Sequence, residues 1–272
     1  MVDKVRVCIL RVGGTNCDIE TKAALDDFVG VDPEIVHINH IGRDRDLMDY
    51  DALVIPGGFS YGDHIRAGVV FAKRIITTLS EELRMFVEEE RPVLGICNGF
   101  QVLIEAGFLP GFEGPSEFPT AALAINESVK YECRWVHLRN ENEGKCIFTR
   151  ELGKGENVFL PVAHKEGRFI FPRKLQDEFL ERLLINDQLV FQYSNEQGDP
   201  AEGRYPENPN GSFHDIAGIC DPTGTILGLM PHPERAYYGW QRPDWTGHKN
   251  MLNHADGRVI FESLVEYLLK NS

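Results

Sequence analysis

The ten residues Pro92 to Gln101, PVLGICNGFQ, restrict the possible folds more than any other stretch of the chain. An apolar run of strand length ends at Cys97. Asn98 and Gly99 then open a second apolar run, in which Phe100, Val102, Leu103 and Ile104 suit the buried face of a helix. A strand that enters a cysteine and a helix that leaves it need a sharp turn at the carboxyl end of a sheet, and Gly95 and Gly99 leave room for close backbone approach. Two readings fit this segment: a nucleophile raised on an elbow, or a buried structural thiol, since free cysteine is among the most buried residue types. The segment alone does not choose between them.

Upstream of this turn, strand and helix patterns alternate. Val5 to Leu10, Glu34 to Ile38 and Asp51 to Pro56 read as strands, while Asp18 to Val29 and one long amphipathic stretch from Ala67 to Glu90 read as helices. The charged run GRDRDLMDYD reads as a solvated connection and helix. This order predicts an α/β fold, a mostly parallel open sheet with right-handed crossovers and flanking helices. The turn RVGGTN lacks both the Lys-Ser/Thr ending of a phosphate loop and a full GxGxxG. GGFSYGDHIRAG is more informative. It follows a core strand, so Gly57 and Gly58 place bare backbone N–H groups at the sheet's carboxyl edge, where open α/β sheets bind ligands. A tight turn would also want these glycines, but Phe59, Ser60, Tyr61 and Asp63 make the loop rich in side chains.

The second half changes character. YECRWVHLRN, NVFLPVAH, QLVFQYS and DIAGICDPTGTILGLM read as short strands, with DPTG a hairpin turn, and predict an antiparallel extension of the sheet. Helices are expected at Asp177 to Asn186 and Asp256 to Lys270. The segments near 196–211 and 238–254, the latter carrying Trp240 and Trp245, exceed the usual connection length and read as surface excursions on a single domain spanning 1–272.

A formal net charge of -14 argues against nucleic acid, whose binders neutralise phosphates with clustered Lys and Arg. No apolar run approaches the roughly 20 residues of a membrane span, and the amino terminus lacks a signal-peptide pattern. Cys8, Cys17, Cys97, Cys133, Cys146 and Cys220 form no CxxC pair, and Cys8, Cys133 and Cys220 sit within apparent strands. A reduced, cytoplasmic protein with mostly buried thiols follows. The tail histidines His248 and His254 have no carboxylate or cysteine at ligand spacing, so no metal site is expected.

The chemistry lies in a constellation. The strand TILGLM ends in Pro231-His232-Pro233-Glu234, and on extended backbone His232 and Glu234 point the same way, so that Glu234 can orient and polarise His232. A surface turn is the plainer account of this tetrapeptide alone. A thiol with an ordinary pKa of about 8.5 needs a helix N-terminus and an imidazole to become a competent thiolate, and the chain offers both. Backbone N–H groups of Asn98 and of the Gly57-Gly58 turn could supply an oxyanion hole.

GICNGFQ with a distant PHPE resembles the class I, or triad, glutamine amidotransferases, whose core is flavodoxin-like. LVIPGGFSYGDHIRAG, VLGICNGFQVL, PVAHKEGRF, DIAGICD and LGLMPHPERA together resemble, over about residues 5 to 265, the glutaminase subunits of phosphoribosylformylglycinamidine synthases. The resemblance implies that Cys97, His232 and Glu234 are catalytic and that Gly58 and Asn98 hold the oxyanion. It further implies that Gly57, Gln101 and the His164 backbone contact L-glutamine. It implies no cofactor in this chain, ammonia delivery to a synthetase subunit that uses ATP and magnesium on formylglycinamide ribonucleotide, and a small accessory subunit beside it. Lys165, where compact members often carry Gly, and Arg11-Val12-Gly13, where Pro-Gly is expected, depart from the pattern. Cys17 reads as structural or interface-lining. The Trp-bearing excursion is expected to pack on the synthetase, so that deleting Tyr238 to His248 would weaken assembly and spare the fold. A Cys-His-Glu hydrolase or peptidase of the same architecture, an amidotransferase subunit of another pathway, and a regulatory module remain rivals; the last would be expected to lose one of the three triad residues.

Overall fold

The computed structural model describes residues 4–247 and 253–271. The first half runs β1 (Val5–Arg11), α1 (Asp18–Asp26), β2 (Val31–His37), β3 (Ala52–Ile55), α2 (Val69–Thr78), α3 (Ser80–Glu88), β4 (Val93–Ile96) and α4 (Asn98–Glu105). The second runs β5 (Ala122–Ile125), β6 (Glu132–Asn140), β7 (Asn157–His164), β8 (Glu166–Ile170), α5 (Gln176–Ile185), β9 (Leu189–Ser194), β10 (Ile216–Cys220), β11 (Ile226–Leu229) and α6 (Arg258–Asn271).

Strands β3, β4 and β11 are buried at every position, which is why they read as unbroken apolar runs and not as alternation. They are neighbours in a nine-stranded sheet of order β2-β1-β3-β4-β11-β10-β9-β6-β7. The pairs from β2 to β11 are parallel. From β11 onward every pair is antiparallel, and DPTG does close the β10–β11 hairpin. β5 and β8 form a second, two-stranded sheet that the sequence pattern did not announce.

Three local expectations change. The long helix is two, broken at Leu79 (φ -132°), where the hydroxyls of Thr77 and Thr78 donate back to the Lys73 and Arg74 carbonyls of the preceding turn. β2 begins at Val31 and includes Pro33, tolerated because β2 is an edge strand. The charged run forms a turn and a single 3₁₀ turn at Leu47–Asp49, with Leu47 and Tyr50 buried beneath it. Among the thiols, Cys133 is exposed on β6 while the other five are buried.

The two excursions are anchored. Asn208 and Asn210 are buried: the first donates to Asp215 Oδ1 and Ser212 O, the second to Gly167 O and the Tyr193 hydroxyl. In the other, Tyr238 stacks on Trp240, and Gln241 accepts from the Tyr237 and Tyr238 N–H groups while donating to the carbonyl of Glu234. The segment Tyr238 to His248 thus includes Gln241, which holds the Glu234 backbone. His248, at the end of that segment, lies outside the described residues.

Candidate active site

β3, β4 and β11 are parallel, so the residues after each emerge at one edge of the sheet: Gly57-Gly58, Cys97 and His232. Cys97 is the residue before α4 and takes φ 50°, ψ -101°, a conformation that costs a non-glycine residue of the order of 1–3 kcal/mol. Its surroundings impose it. Cys97 N–H donates to Leu229 O (2.8 Å) and its carbonyl accepts from Gln101 N–H (3.1 Å). A Cβ on Gly99 would lie 1.8 Å from the Ile55 carbonyl oxygen, so α4 can press on β3 only with glycine there. The cysteine side chain is thus raised on a strained strand-to-helix turn, at the positive end of a helix, and stays 5% exposed.

His232 N–H donates to Pro161 O (2.8 Å), and its Nδ1 lies 2.5 Å from Glu234 Oε1. A carboxylate only accepts, so Nδ1 carries the proton toward it and Nε2 is left for chemistry. That Nε2 is buried and has no hydrogen-bond partner among the described residues. Burial alone works against the imidazolium, but the charges of Glu234 and then Cys97 outweigh it and hold the His232 pKa well above the ordinary histidine range.

Gly57 and Gly58 fit this ring closely. A Cβ on Gly57 would stand 2.7 Å from His232 Cε1, and one on Gly58, at φ 149°, would stand 2.7 Å from Gly14 O and 2.8 Å from Thr15 Cα. Gly58 N–H donates to no protein acceptor among the described residues, and Asn98 N–H sits in the first turn of α4, where no intrahelical acceptor exists. The Asn98 side chain links the two donors' segments, accepting from Ser60 N–H (3.3 Å).

A cavity of about 290 Å³ opens onto Cys97, walled by Gly58, Phe59, Asp63, Ala67 and Gln101 on one side and by Tyr131, Ala163, His164, Lys165 and Glu166 on the other. The Ala163 carbonyl lies 3.8 Å from Cys97 Sγ, which places the β7–β8 turn over the nucleophile. Gln101 is engaged at both ends of its amide, accepting from Asn98 Nδ2 (2.9 Å) and donating to Glu166 O (2.5 Å). His164 is buried and neutral, pushed down to about 3 by desolvation first and by His232 second; its Nδ1 meets Asn126 Oδ1 and its carbonyl accepts from Asn126 Nδ2. The Gln101 amide thus reaches the cavity wall with both ends in use, whereas the buried His164 Nε2 has no hydrogen-bond partner among the described residues.

Cys17 Sγ lies 3.9 Å from His232 Nδ1 and accepts from Arg235 Nη2 (3.1 Å). Burial pushes this thiol up to about 11 despite the His232 hydrogen bond. Ligand-type atoms of Cys17, His232 and Glu234 fall within 4.8 Å of one another. Glu234 already bonds His232 Nδ1 and the Arg235 guanidinium covers the sulfur, so the group fits a hydrogen-bond network better than a cation.

A model of the CobB/CobQ-like glutamine amidotransferase domain matches residues 4–268. The chain belongs to that family. Among relatives of this amidotransferase, the phosphoribosylformylglycinamidine synthase subunit PurQ of Archaeoglobus fulgidus is 48% identical, with 98% of each chain covered. The corresponding subunit of Methanococcus maripaludis is 41% identical over 97% of this chain and 98% of its own. A chain in the structure of PurLQS from Thermotoga maritima superposes with TM-score 0.71 at 33% identity, covering 97% of this chain and 99% of that one.

Several residues of this amidotransferase site escaped the motif reading. Tyr131 stacks on Phe59 at the cavity wall (centroids 6.4 Å apart) and sits in a strand-like stretch with no chemical signature. Glu166 is one residue past a hairpin tip, and its role emerges only when β8 pairs away from β7's sheet. Asp63 was visible in the glycine-rich loop, but its place beside Glu166 was not.

Proposed function

We propose that this chain hydrolyses L-glutamine to glutamate and ammonia through a thioester on Cys97, as the glutaminase subunit of a phosphoribosylformylglycinamidine synthase. The observation that carries the reading is Cys97 at positive φ ahead of α4, beside a cavity and a buried His232–Glu234 pair.

His232 Nε2 takes the thiol proton and Sγ attacks the carboxamide carbon. The oxyanion that forms is received by the Gly58 and Asn98 N–H groups, both without a backbone acceptor among the described residues. Collapse of this intermediate breaks the C–N bond, with His232 returning its proton to the departing ammonia. His232 then draws a proton from water, which attacks the thioester carbon; the C–S bond breaks, glutamate leaves, and the proton on His232 returns to the Cys97 sulfur. Glu234 keeps Nδ1 protonated and the ring in place throughout.

Ammonia passes to a synthetase subunit that uses ATP and magnesium to convert formylglycinamide ribonucleotide to formylglycinamidine ribonucleotide, with a small accessory subunit in the assembly. Relatives named PurQ across the full length and a neighbour within PurLQS support this placement. This chain itself takes no cofactor in the scheme. No described helix is long and apolar enough to cross a membrane, and free thiols suit a cytoplasmic setting.

Intact mass after exposure to an electrophilic glutamine analogue tests the reading. One glutamine-sized adduct, absent in Cys97→Ala and suppressed by excess glutamine, is expected; an adduct that persists in the variant would move the reactive thiol elsewhere and overturn the assignment.

A further inference from the structure

The His232–Glu234 pair has a cationic neighbour that the chemistry above does not use. Arg235 follows Glu234 directly, is half-buried, and its Nε lies 4.0 Å from Glu234 Oε1. That oxygen already meets His232 Nδ1, whereas the buried Glu234 Oε2 has no hydrogen-bond partner among the described residues. A buried carboxylate with one oxygen unserved is costly unless a cation stands close. Among the described residues, Arg235 is the only permanent cation within 4.0 Å of it.

Arg235 is braced from the other side. Its Nη2 donates to Cys17 Sγ (3.1 Å) and lies 3.7 Å from Oε1 of Glu20 in the first turn of α1. The Cys17 S–H donates to Asn16 Oδ1 (3.2 Å), which leaves a sulfur lone pair for the guanidinium, and Cys17 N–H is held by Gly57 O (3.2 Å). The planar fork thus spans the turn after β11 and the start of α1, a reach that the single ammonium of lysine does not reproduce. The titratable groups that act on His232 are Glu234 beside it, Cys97 from the elbow, Cys17 from the start of α1, His164 from β7 and Tyr131 from the cavity wall. None of these is a permanent cation, and Arg235 is. A fixed positive charge disfavours the imidazolium and favours the thiolate, so it opposes Glu234 at the first and assists Cys97 at the second.

Resting on the glutaminase reading, we infer that Arg235 is a positioning residue of the triad: braced by Cys17 and Glu20, it holds the Glu234 carboxylate behind His232 and offsets part of its charge, so that the Cys97–His232 pair sheds its excess proton at a lower pH than Glu234 alone would allow. Cys17 then serves as the fixed stop on which the guanidinium rests, without entering the chemistry itself.

The test follows glutamate release, and in parallel the rate of Cys97 adduct formation with a diazoketone analogue of L-glutamine, across pH. It is run on the chain co-expressed with its synthetase subunit. Arg235→Met removes the cation, which makes protonation of the pair easier. The acidic limb of both profiles is therefore expected to move to higher pH by roughly 0.5–1 unit, with kcat reduced about tenfold. Arg235→Lys keeps the charge and is expected to return the limb toward its native position while kcat stays below native. Glu20→Gln removes an anion that draws Arg235 away from Glu234, so its limb is expected to move the opposite way, to lower pH. A fall in kcat with the limb unmoved in Arg235→Met, or a limb equally displaced in the lysine variant, would reduce Arg235 to a packing role and overturn the inference. Should Arg235→Met not fold, an unmoved limb in Glu20→Gln overturns it equally. Absence of any Cys97 adduct in the native complex would instead overturn the glutaminase reading, and this inference with it.

Discussion

Asn98 accepts a hydrogen bond from the Ser60 N–H at 3.3 Å, and both residues are buried. This bond ties the loop that carries Gly58 to the turn that carries Cys97, so the two oxyanion donors keep a fixed separation. Asn98→Ala cuts the tie and leaves Ser60 N–H unpaired. The expected result is a fall in glutaminase kcat of about 10²-fold with a smaller change in KM, and a stability loss of about 1–3 kcal/mol. Steady-state kinetics and urea denaturation of the variant check it.

Gly57 and Gly99 predict opposite outcomes for the same substitution. A methyl on Gly57 meets the side chain of His232 at 2.7 Å, which can move, so Gly57→Ala is expected to fold and to lose activity by displacing the imidazole. A methyl on Gly99 meets the Ile55 carbonyl at 1.8 Å within the sheet. Gly99→Ala is therefore expected to lower stability by more than the roughly 1–3 kcal/mol typical of overpacking, read as a drop in melting temperature or in soluble yield.

Glu234→Gln tests the charge behind the imidazole. The native pKa of His232 lies above the unfolded value of about 6.5. The imidazolium therefore contributes stability that is complete below that value and is lost as pH rises through the native pKa. Without Glu234 the burial penalty dominates and the native pKa falls. The stability gap between native chain and variant should be widest in mildly acidic buffer and shrink on the alkaline side, as measured by denaturant titrations across pH. Activity should fall on the order of 10³-fold.

Gln241 supports Glu234 from the Trp-bearing segment through its donation to the Glu234 carbonyl (3.2 Å), while also capping Tyr237 and Tyr238. Gln241→Ala is expected to lower kcat by roughly tenfold without abolishing it, since one neutral hydrogen bond is worth about 0.5–1.5 kcal/mol. Replacing the exposed Trp240 and Trp245 by serine leaves that support in place. Weaker co-purification with the synthetase subunit in this double variant is the expected result if the segment docks there; unchanged co-purification would remove the segment from the interface.

Thiol reactivity should separate the cysteines. Cys133 is exposed, whereas burial holds Cys17 at about 11 and Cys8 at about 12. Iodoacetamide at neutral pH is expected to modify Cys133 and Cys97 and to leave Cys17 intact, as read by peptide mass mapping. Modification of Cys17 in the Cys97→Ala variant would show that the Arg235–Cys17–His232 packing is looser than described.

Much of this was legible in the residues. β4, Cys97 and α4 follow from an apolar run that stops at a small-residue turn, and His232–Glu234 from a strand that ends in alternating polar side chains. The parallel-to-antiparallel switch was readable because its cause, the DPTG hairpin, is local. What escaped depends on distance in space: Cys17 against His232, Asp63 beside Glu166, and Gln101 held by the Glu166 carbonyl are contacts between segments far apart in sequence, and no periodicity encodes them. The break at Leu79 escaped for a different reason. The apolar stripe continues across it, and the hydroxyl bonds of Thr77 and Thr78 that favour the bend leave no mark on that stripe.

β11 lies between β4 and β10 in the sheet, although almost half the chain separates it from β4 in sequence. During synthesis the elbow can form early, but its histidine arrives only when β11 inserts beside β4, and until then β4 presents an unpaired edge. Such a long-range pairing is slow, because the loop between must be closed before any contact rewards it. The nascent chain consequently carries its thiol without a base for most of its emergence from the ribosome. Activity and completion of the central sheet are then one event, so a truncated or stalled product is inert toward amides and also the species most exposed to aggregation.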